Sequence, residues 1–109
     1  MNIENTKAQM RKGILEFCIL KILSNKDKYS SEIIETLKKS KMLVVEGTLY
    51  PLLTRLKNSR LLEYRWEESK SGPPRKYYTI TEEGKKSLGE LHSSWNDLNK
   101  AVTALTKKS

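Results

Sequence analysis

Two segments of the chain carry side chains suited to binding a polyanion. Gly72–Glu83 contains Arg75 and Lys76 directly after two prolines, and these cations can donate charge-assisted hydrogen bonds to phosphate oxygens. Gly47–Leu56 carries hydroxyl groups and a guanidinium, which can donate to phosphates and to the edges of bases. The chemistry that these residues indicate is non-covalent recognition of a nucleic acid. The polar residues of Gly47–Leu56 are Thr48, Tyr50, Thr54 and Arg55.

Composition agrees with an anionic partner and argues against catalysis. The 109 residues include 37% hydrophobic residues, enough for one domain with one modest core. The 21 Lys and Arg against 13 Asp and Glu leave a net charge of +8, which favours a polyanion. The sequence shows neither a nucleophile with a base nor a phosphate-binding glycine loop, and it has one histidine, His92. We therefore expect neither an enzyme nor a bound metal or cofactor.

Cysteine use and hydropathy bear on the compartment. Cys18 lies in the apolar stretch Phe17–Leu20 and has no second cysteine to pair with, so we expect it to be a small residue of the core. The N-terminal segment lacks the apolar centre of a signal peptide, and the apolar runs are far shorter than a membrane span. The sequence predicts a cytoplasmic protein without a membrane partner.

Helical periodicity predicts the first two elements. A helix is expected from Asn5 or Thr6 to Asn25, because apolar residues recur every three or four positions. That helix has two apolar faces, which implies burial on two sides. A second helix should follow, with Ser30 or Ser31 as its N-cap and lysines up to Lys41 at its end. The first face consists of Leu15, Cys18, Ile19 and Ile22, and the second of Met10, Ile14 and Phe17.

A third helix and a hairpin come next. The helix is expected over Thr48–Ser59, with Thr48 as the N-cap, so that Pro51 falls in the first turn, where it needs no hydrogen-bond partner. Apolar and polar residues then alternate from Leu62 to Trp66, which predicts a strand. Ser69–Pro74 should form the turn and Arg75–Ile80 the partner strand. We expect Tyr78 to point inward, Tyr77 outward, and Trp66 to be a packing residue.

The last segment predicts a long helix capped by Thr81. Its apolar residues alternate at spacings of three and four, the pattern of a coiled-coil stripe. At roughly 25 residues, or about 37 Å, the helix is longer than a small domain can cover, so part of it should contact a second chain. We expect a homodimer in which this stripe and the second face of the first helix meet. The stripe consists of Leu88, Leu91, Trp95, Leu98, Val102 and Leu105.

These elements together predict a mostly α-helical fold with a small β-hairpin. The arrangement is a winged helix-turn-helix domain over residues 1–81, followed by a C-terminal dimerisation helix over residues 82–109. Such a fold presents the third helix to the major groove of duplex DNA and the hairpin, or wing, to the flanking phosphates. The predicted DNA contacts are Thr48, Tyr50, Pro51, Thr54 and Arg55 on the helix, and Lys70, Arg75, Lys76 and Tyr77 on the wing.

Three sequence motifs resemble those of the PadR family of bacterial transcriptional regulators. They are Glu46–Leu53 followed by Arg55 and Leu56, then Gly72–Tyr78, and Thr81–Gly84. The resemblance covers essentially the whole chain and is strongest to the short subclass. It implies a homodimer formed by the single C-terminal helix and the partner's first helix. Such proteins are mostly repressors that bind a pseudo-palindromic operator and release it when a small molecule binds.

The same resemblance gives Trp95 a role. In family members that sense drugs, an aromatic residue at a similar place lines a pocket at the dimer centre. We therefore expect a planar aromatic compound to bind at Trp95, with Leu91 and Asn99 one turn away; the alternative is that Trp95 only fills the interface.

A competing function stays open at this point. The basic surface would also suit an interaction module that binds RNA or an acidic protein. A preference for a pseudo-palindromic duplex would distinguish the two functions, because RNA modules generally read single strands or shape.

Overall fold

The computed structural model describes residues 1–107, and this part of the chain forms four helices and one antiparallel hairpin. This architecture confirms the predicted fold class, a mostly helical winged helix-turn-helix. The elements in chain order are α1 (Ile3–Asn25), α2 (Ser30–Lys39), α3 (Glu46–Asn58), β1 (Leu62–Ser69), β2 (Gly72–Ile80) and α4 (Glu82–Thr106).

The first two helices begin differently from the prediction. Helix α1 starts at Ile3, because the side chain of Asn2 accepts a hydrogen bond from the backbone N–H of Asn5 at 3.1 Å and so caps the helix. Helix α2 takes Tyr29 as its N-cap residue, not a serine, and the Glu32 carboxylate accepts the Tyr29 N–H at 3.2 Å. Both starts are polar turns, which apolar periodicity does not detect.

The predicted N-cap of α3 was wrong by three residues. The helix begins at Glu46, and Val45 takes the N-cap position that Thr48 was expected to hold. The Val45 carbonyl accepts the N–H of Thr48 at 3.0 Å. Pro51 therefore lies in the second turn, and its missing N–H leaves the carbonyl of Gly47 without its usual helical donor. The earlier start adds exposed residues to the helix surface beside the wing.

The core lies among the first three helices and the base of the hairpin. Tyr78 of β2 is buried, as predicted, and Cys18 is half-buried at the core's edge, where burial raises the pKa of its thiol. Cys18 was expected to be a small residue of the core, and it packs against the core from its edge. The buried set is Leu15, Ile19, Leu20, Leu23, Ile33, Leu37, Leu49, Leu52, Leu53, Leu56, Leu62 and Tyr78.

The hairpin is longer than predicted. Strand β2 begins at Gly72, three residues before the expected Arg75, and the pairing shifts register between Glu67 and Ser69. This irregularity near the turn accommodates the two prolines, which cannot donate to a regular ladder. Trp66 was expected to pack, but 62% of its surface is exposed. Its strand runs past the end of the core, so the alternating pattern continues after burial has stopped.

Helix α4 is attached at its first turns and then projects from the body. The hydroxyl of Thr81 accepts the N–H of Gly84 at 2.9 Å, which confirms the predicted cap, and donates to the carbonyl of Arg60 at 2.7 Å. Leu88 packs against the core, whereas residues 89–107 are exposed. Of the predicted dimerisation segment 82–109, residues 108 and 109 lie outside the described residues.

Candidate nucleic-acid interface

Helix α3 divides into a buried and an exposed face. Its four leucines lie in the core, and this fixes the rotation of the helix about its axis. The opposite face carries the five residues predicted to contact DNA, and all of them are exposed in the structure. They are Thr48, Tyr50, Pro51, Thr54 and Arg55.

Tyr50 connects this face to the start of α2. Its hydroxyl lies 3.1 Å from Oγ of Ser30, close enough for a hydrogen bond between the two helices. The hydroxyl groups of both residues therefore lie at one place on the surface, beside the first turn of α2, where backbone N–H groups lack helical partners.

Arg55 is already engaged within the protein. Its guanidinium forms an ion pair with Glu16 of α1 through Nη2, and its Nε donates to the same carboxylate at 3.3 Å. An exposed ion pair of this kind contributes little to stability, so Arg55 can exchange Glu16 for a phosphate or a base at modest cost. The pairing joins residues 39 positions apart, a contact that the sequence does not reveal.

The wing presents its cations on both of its faces. Lys70 is exposed in the turn between the strands. The guanidinium of Arg75 lies 4.5 Å from the ring centre of Tyr29, the cap residue of α2. The ammonium of Lys76 lies 4.6 Å from the ring of Tyr64 and 5.3 Å from that of Trp66 on the opposite face. Cation–π contacts hold both side chains near the surface of the hairpin.

Tyr77 lies where it can position the wing. Its ring packs edge-to-face on Tyr29 with centres 5.1 Å apart, and the guanidinium of Arg65 covers it at 5.4 Å. Arg65, Tyr77, Tyr29 and Arg75 thus form a continuous row, which we call the wing ladder, between the hairpin and the start of α2. Tyr77 is half-buried in this row. Cross-strand pairs on one face of a hairpin are the signal that could have revealed the row.

Arg65 also fastens the hairpin to the connector between α1 and α2. It donates from Nη1 to Asp27 and from Nε to Glu67, each at 2.7 Å. The hydrogen bond from Arg65, with a second from Thr79, holds the pKa of Asp27 below its ordinary value. Together with the bridge between Lys28 and Tyr78, these contacts attach the wing to the connector between α1 and α2.

A groove of about 450 Å³ separates α3 from the wing. Its walls come from the start of α2, the first turns of α3 and the side of the hairpin that carries Trp66 and Lys76. Three charged residues line it: Arg75 and Lys76 on the wing and Glu46 on α3. Of the predicted contacts, Tyr50 of α3 lies on one side of this channel and Arg75 and Lys76 of the wing lie on the other, and the charged residues of the channel leave an excess of positive charge.

A second surface runs along α4. The stripe residues beyond Leu88 are exposed, as is Asn99, and Met10 of α1 is exposed near its start. Ile14 and Phe17 are half-buried, and the ring of Phe17 packs edge-on against His92 of the same chain at 5.8 Å. The exposed apolar residues of α4 are Leu91, Trp95, Leu98, Val102 and Leu105.

Metal-binding clusters and membrane spans are both absent from the described part of the chain. Within residues 1–107, no three His, Cys, Asp or Glu side chains are grouped so that they could hold a metal ion. In the same range, none of the helices combines the length and apolar character needed to cross a bilayer.

Comparisons with known proteins agree with this geometry. Residues 19–90 match the family described as the transcriptional regulator PadR-like family. A PadR-like transcription factor from Bacteroides fragilis is 56% identical, with 94% of this chain and 99% of that chain covered and a TM-score of 0.78. The PadR-like regulator from Bacillus cereus is 39% identical, with 93% and 99% covered and a TM-score of 0.81. A PadR family regulator from Eggerthella lenta is 30% identical, with 98% and 90% covered and a TM-score of 0.83.

Proposed function

Because the chain belongs to the PadR-like family of transcriptional regulators, we propose that it acts in the cytoplasm as a homodimeric, ligand-responsive repressor of a pseudo-palindromic operator. Regulators of this family bind DNA and are not enzymes, and this protein is a DNA-binding regulator in the same sense. Four features go beyond membership of the family and are proposed for this protein: its DNA-contacting residues, its dimer, its action as a repressor and its response to a ligand.

The observation that carries the DNA-binding surface is the channel between α3 and the wing. The exposed face of α3 can enter the major groove, while Lys70, Arg75 and Lys76 reach the neighbouring phosphates. Tyr77, held in the wing ladder, keeps Arg75 in place through Tyr29. Hydrogen bonds and packed rings attach the wing to the connector before α2 and to the start of α2.

Substitution of the wing cations is expected to make binding less sensitive to salt. In Arg75→Ala and Lys76→Ala the slope of log affinity against log salt should flatten by about 0.9 for each phosphate that is no longer bound, because fewer counterions are released. Fluorescence anisotropy of a labelled duplex across a salt series measures this slope. Lys100→Ala is the control, since it removes the same charge from an exposed position on α4. Equal slopes in all three variants would contradict the wing contact.

Sequence preference is assigned to α3. Thr54 and Arg55 lie on the face that can reach base edges, so their substitution should change which operators are preferred. Mapping the DNA protected upstream of the protein's own gene would supply the operator for this comparison. A protein that instead binds RNA or an acidic partner would show no preference for a pseudo-palindromic duplex.

The proposed dimer follows from α4 and symmetry. A two-fold dimer presents two copies of α3 and of the wing. It therefore binds two half-sites in opposite orientation, and such a pair of half-sites is a pseudo-palindrome. The stripe on α4 and the neighbouring apolar residues Met10, Ile14 and Phe17 of α1 form the proposed contact. Repression is supported by the resemblance to the short subclass of the family.

A planar aromatic compound is expected to bind against Trp95 and lower operator affinity. Two copies of Trp95 related by symmetry, with Leu91 and Asn99 beside them, would offer apolar faces for offset stacking, which contributes about 0.5–1.5 kcal/mol beyond area burial. Titration of aromatic compounds should quench Trp95 in a Trp66→Phe variant, where Trp95 is the remaining tryptophan. Operator binding must be measured in parallel. A ligand that binds the DNA-competent and the DNA-incompetent arrangements of the dimer with equal affinity does not change operator affinity.

Trp95→Ala provides the matched test of the ligand site. It should remove binding of any compound that quenches Trp95. If ligand affinity survives this substitution, Trp95 is a packing residue of the interface and the ligand site lies elsewhere.

A further inference from the structure

Trp66 is an aromatic side chain on the wall of the channel whose exposure the proposed function does not explain. The stripe of α4 and Met10 are assigned to the dimer, and Tyr50 belongs to the exposed face of α3. Trp66, on the wing, is 62% exposed. Single exposed apolar residues are common on protein surfaces, so the neighbours of Trp66 decide whether its exposure has a function.

Trp66 belongs to a cluster on one face of the hairpin. It pairs across the strands with Lys76, and the pair Tyr64–Tyr78 follows one step nearer the core. The rings of Trp66 and Tyr64 meet edge-to-face at 6.2 Å, and Tyr64 packs on buried Tyr78 at 5.9 Å. The indole is thus held at the end of a row of rings that is anchored in the core, and it is not a loosely attached surface side chain.

The same face of the hairpin lines the channel opposite α3. Trp66 and Lys76 form one wall, and Tyr50 stands on the other. Lys76 is half-buried with its ammonium between the rings of Tyr64 and Trp66. The channel therefore combines an exposed indole, a cation placed over it and hydroxyl groups across from it. That combination suits a chain of alternating sugars and phosphates, which has apolar edges and regularly spaced negative charges.

We propose that Trp66 is a DNA contact, in which its indole covers the sugar edge of the backbone strand that crosses the channel while Lys76 binds the adjacent phosphate. The inference rests on the proposed DNA-binding surface and adds an uncharged, aromatic contact to it. The positive excess of the channel and its continuity with the exposed face of α3 identify duplex DNA as the occupant. Glu46 repels phosphate from the α3 side, which favours a path close to the wing.

This contact has a signature that separates it from the cations. Lys76 contributes to the binding free energy through its charge, so its contribution decreases as the salt concentration rises. The contact between the indole and a sugar is apolar, and its contribution does not depend on salt. Trp66→Ala should weaken binding of every duplex about tenfold, the change expected when about 60 Å² of apolar surface is no longer covered. The slope of log affinity against log salt should stay as in the wild type.

The direct test uses the emission of Trp66 itself. Trp95→Phe leaves Trp66 as the remaining tryptophan, and its duplex affinity is measured first by anisotropy. A mixed-sequence duplex of about 30 base pairs at low salt is a suitable probe, because non-specific binding uses the same backbone contacts. We expect the Trp66 emission to shift to the blue and to be shielded from acrylamide, in step with binding.

Three other results of this fluorescence experiment would each overturn the proposal. If the duplex binds while the Trp66 spectrum and its quenching stay unchanged, the inference fails and the proposed function survives. If the wild-type protein binds no duplex, both fail. A spectrum that changes on dilution of the protein without DNA assigns Trp66 to a contact between copies.

Affinity variants complete the experiment. Trp66→Ala is compared with Glu63→Ala, an exposed position of the same strand on the other face of the hairpin, and circular dichroism verifies folding of both. Equal affinities in the two variants would overturn the proposal. If Trp66→Ala does not fold, Trp66→Phe replaces it, and the spectral test on the unaltered indole remains decisive.

Discussion

Leu98→Glu combined with Val102→Glu is expected to convert the protein into a monomer. The two side chains are 55% and 48% exposed and belong to the stripe on α4, so four carboxylates would enter the proposed interface of the dimer. Burying unpaired charges is costly, and the apolar surface of the two side chains no longer contributes to association. Because a monomer binds one half-site at a time, affinity for a two-half-site operator should fall by at least about a hundredfold.

Light scattering measures the oligomeric state, and anisotropy with the full operator measures the affinity. The control is Asn96→Glu with Thr103→Glu, which adds the same charge at exposed positions outside the stripe. Substitution is preferable to deletion of α4, since Leu88 packs on the core and a deletion would therefore change the domain as well as the stripe. A double variant that remains dimeric would show that α4 is not the contact between protomers.

Gly84→Ala is expected to destabilise the protein by at least about 2–3 kcal/mol. A Cβ at this position would overlap the carbonyl oxygen of Leu61 and lie 2.7 Å from Cγ1 of Ile80. Backbone atoms cannot move aside as a flexible side chain can, so the first turn of α4 must lift away from the hairpin. Thermal unfolding at fixed protein concentration should show a midpoint about 10 °C lower or more.

Gly89→Ala is the matched control on the same helix. Apart from its chain neighbours and the backbone of its own helix, no heavy atom would lie within 4 Å of its new Cβ, so the substitution should stabilise the helix by about 0.5–1 kcal/mol through the better propensity of alanine. The two alanine variants thus move in opposite directions. If Gly84→Ala unfolds at the wild-type temperature, α4 does not pack closely against Leu61.

Local patterns in the sequence were sufficient for the type and order of the elements and for the exposed face of α3. The stripe from Leu88 to Leu105 predicted a helix longer than its domain, and the threonine before two glutamates predicted the cap at Thr81, which the structure confirms. Alternation placed Tyr78 inward correctly. These signals are periodic or lie within one helical turn, so neighbouring residues contain the whole of the information.

The same patterns were misleading where a polar turn or a change of environment intervened. Val45 takes the cap position of α3 although its side chain cannot accept a hydrogen bond, because its backbone carbonyl accepts the N–H groups of Thr48 and Leu49 and so starts the helix before the expected cap. Trp66 continues the alternation of its strand beyond the end of the core and becomes exposed. Periodicity shows which residues share a face, but the packed chain decides how far that face is covered.

Only the tertiary structure determined which charged side chains form ion pairs and how the wing is attached to the rest of the domain. Arg55 meets Glu16 across 39 positions, and Arg65 meets Asp27 across 38. The close approach at Gly84 exists because the backbone of Leu61 passes there after the end of α3. Such contacts depend on the directions of helices and strands after packing. The distance between two residues far apart in the chain is fixed only when the whole core has packed. It cannot be inferred from their spacing in the sequence.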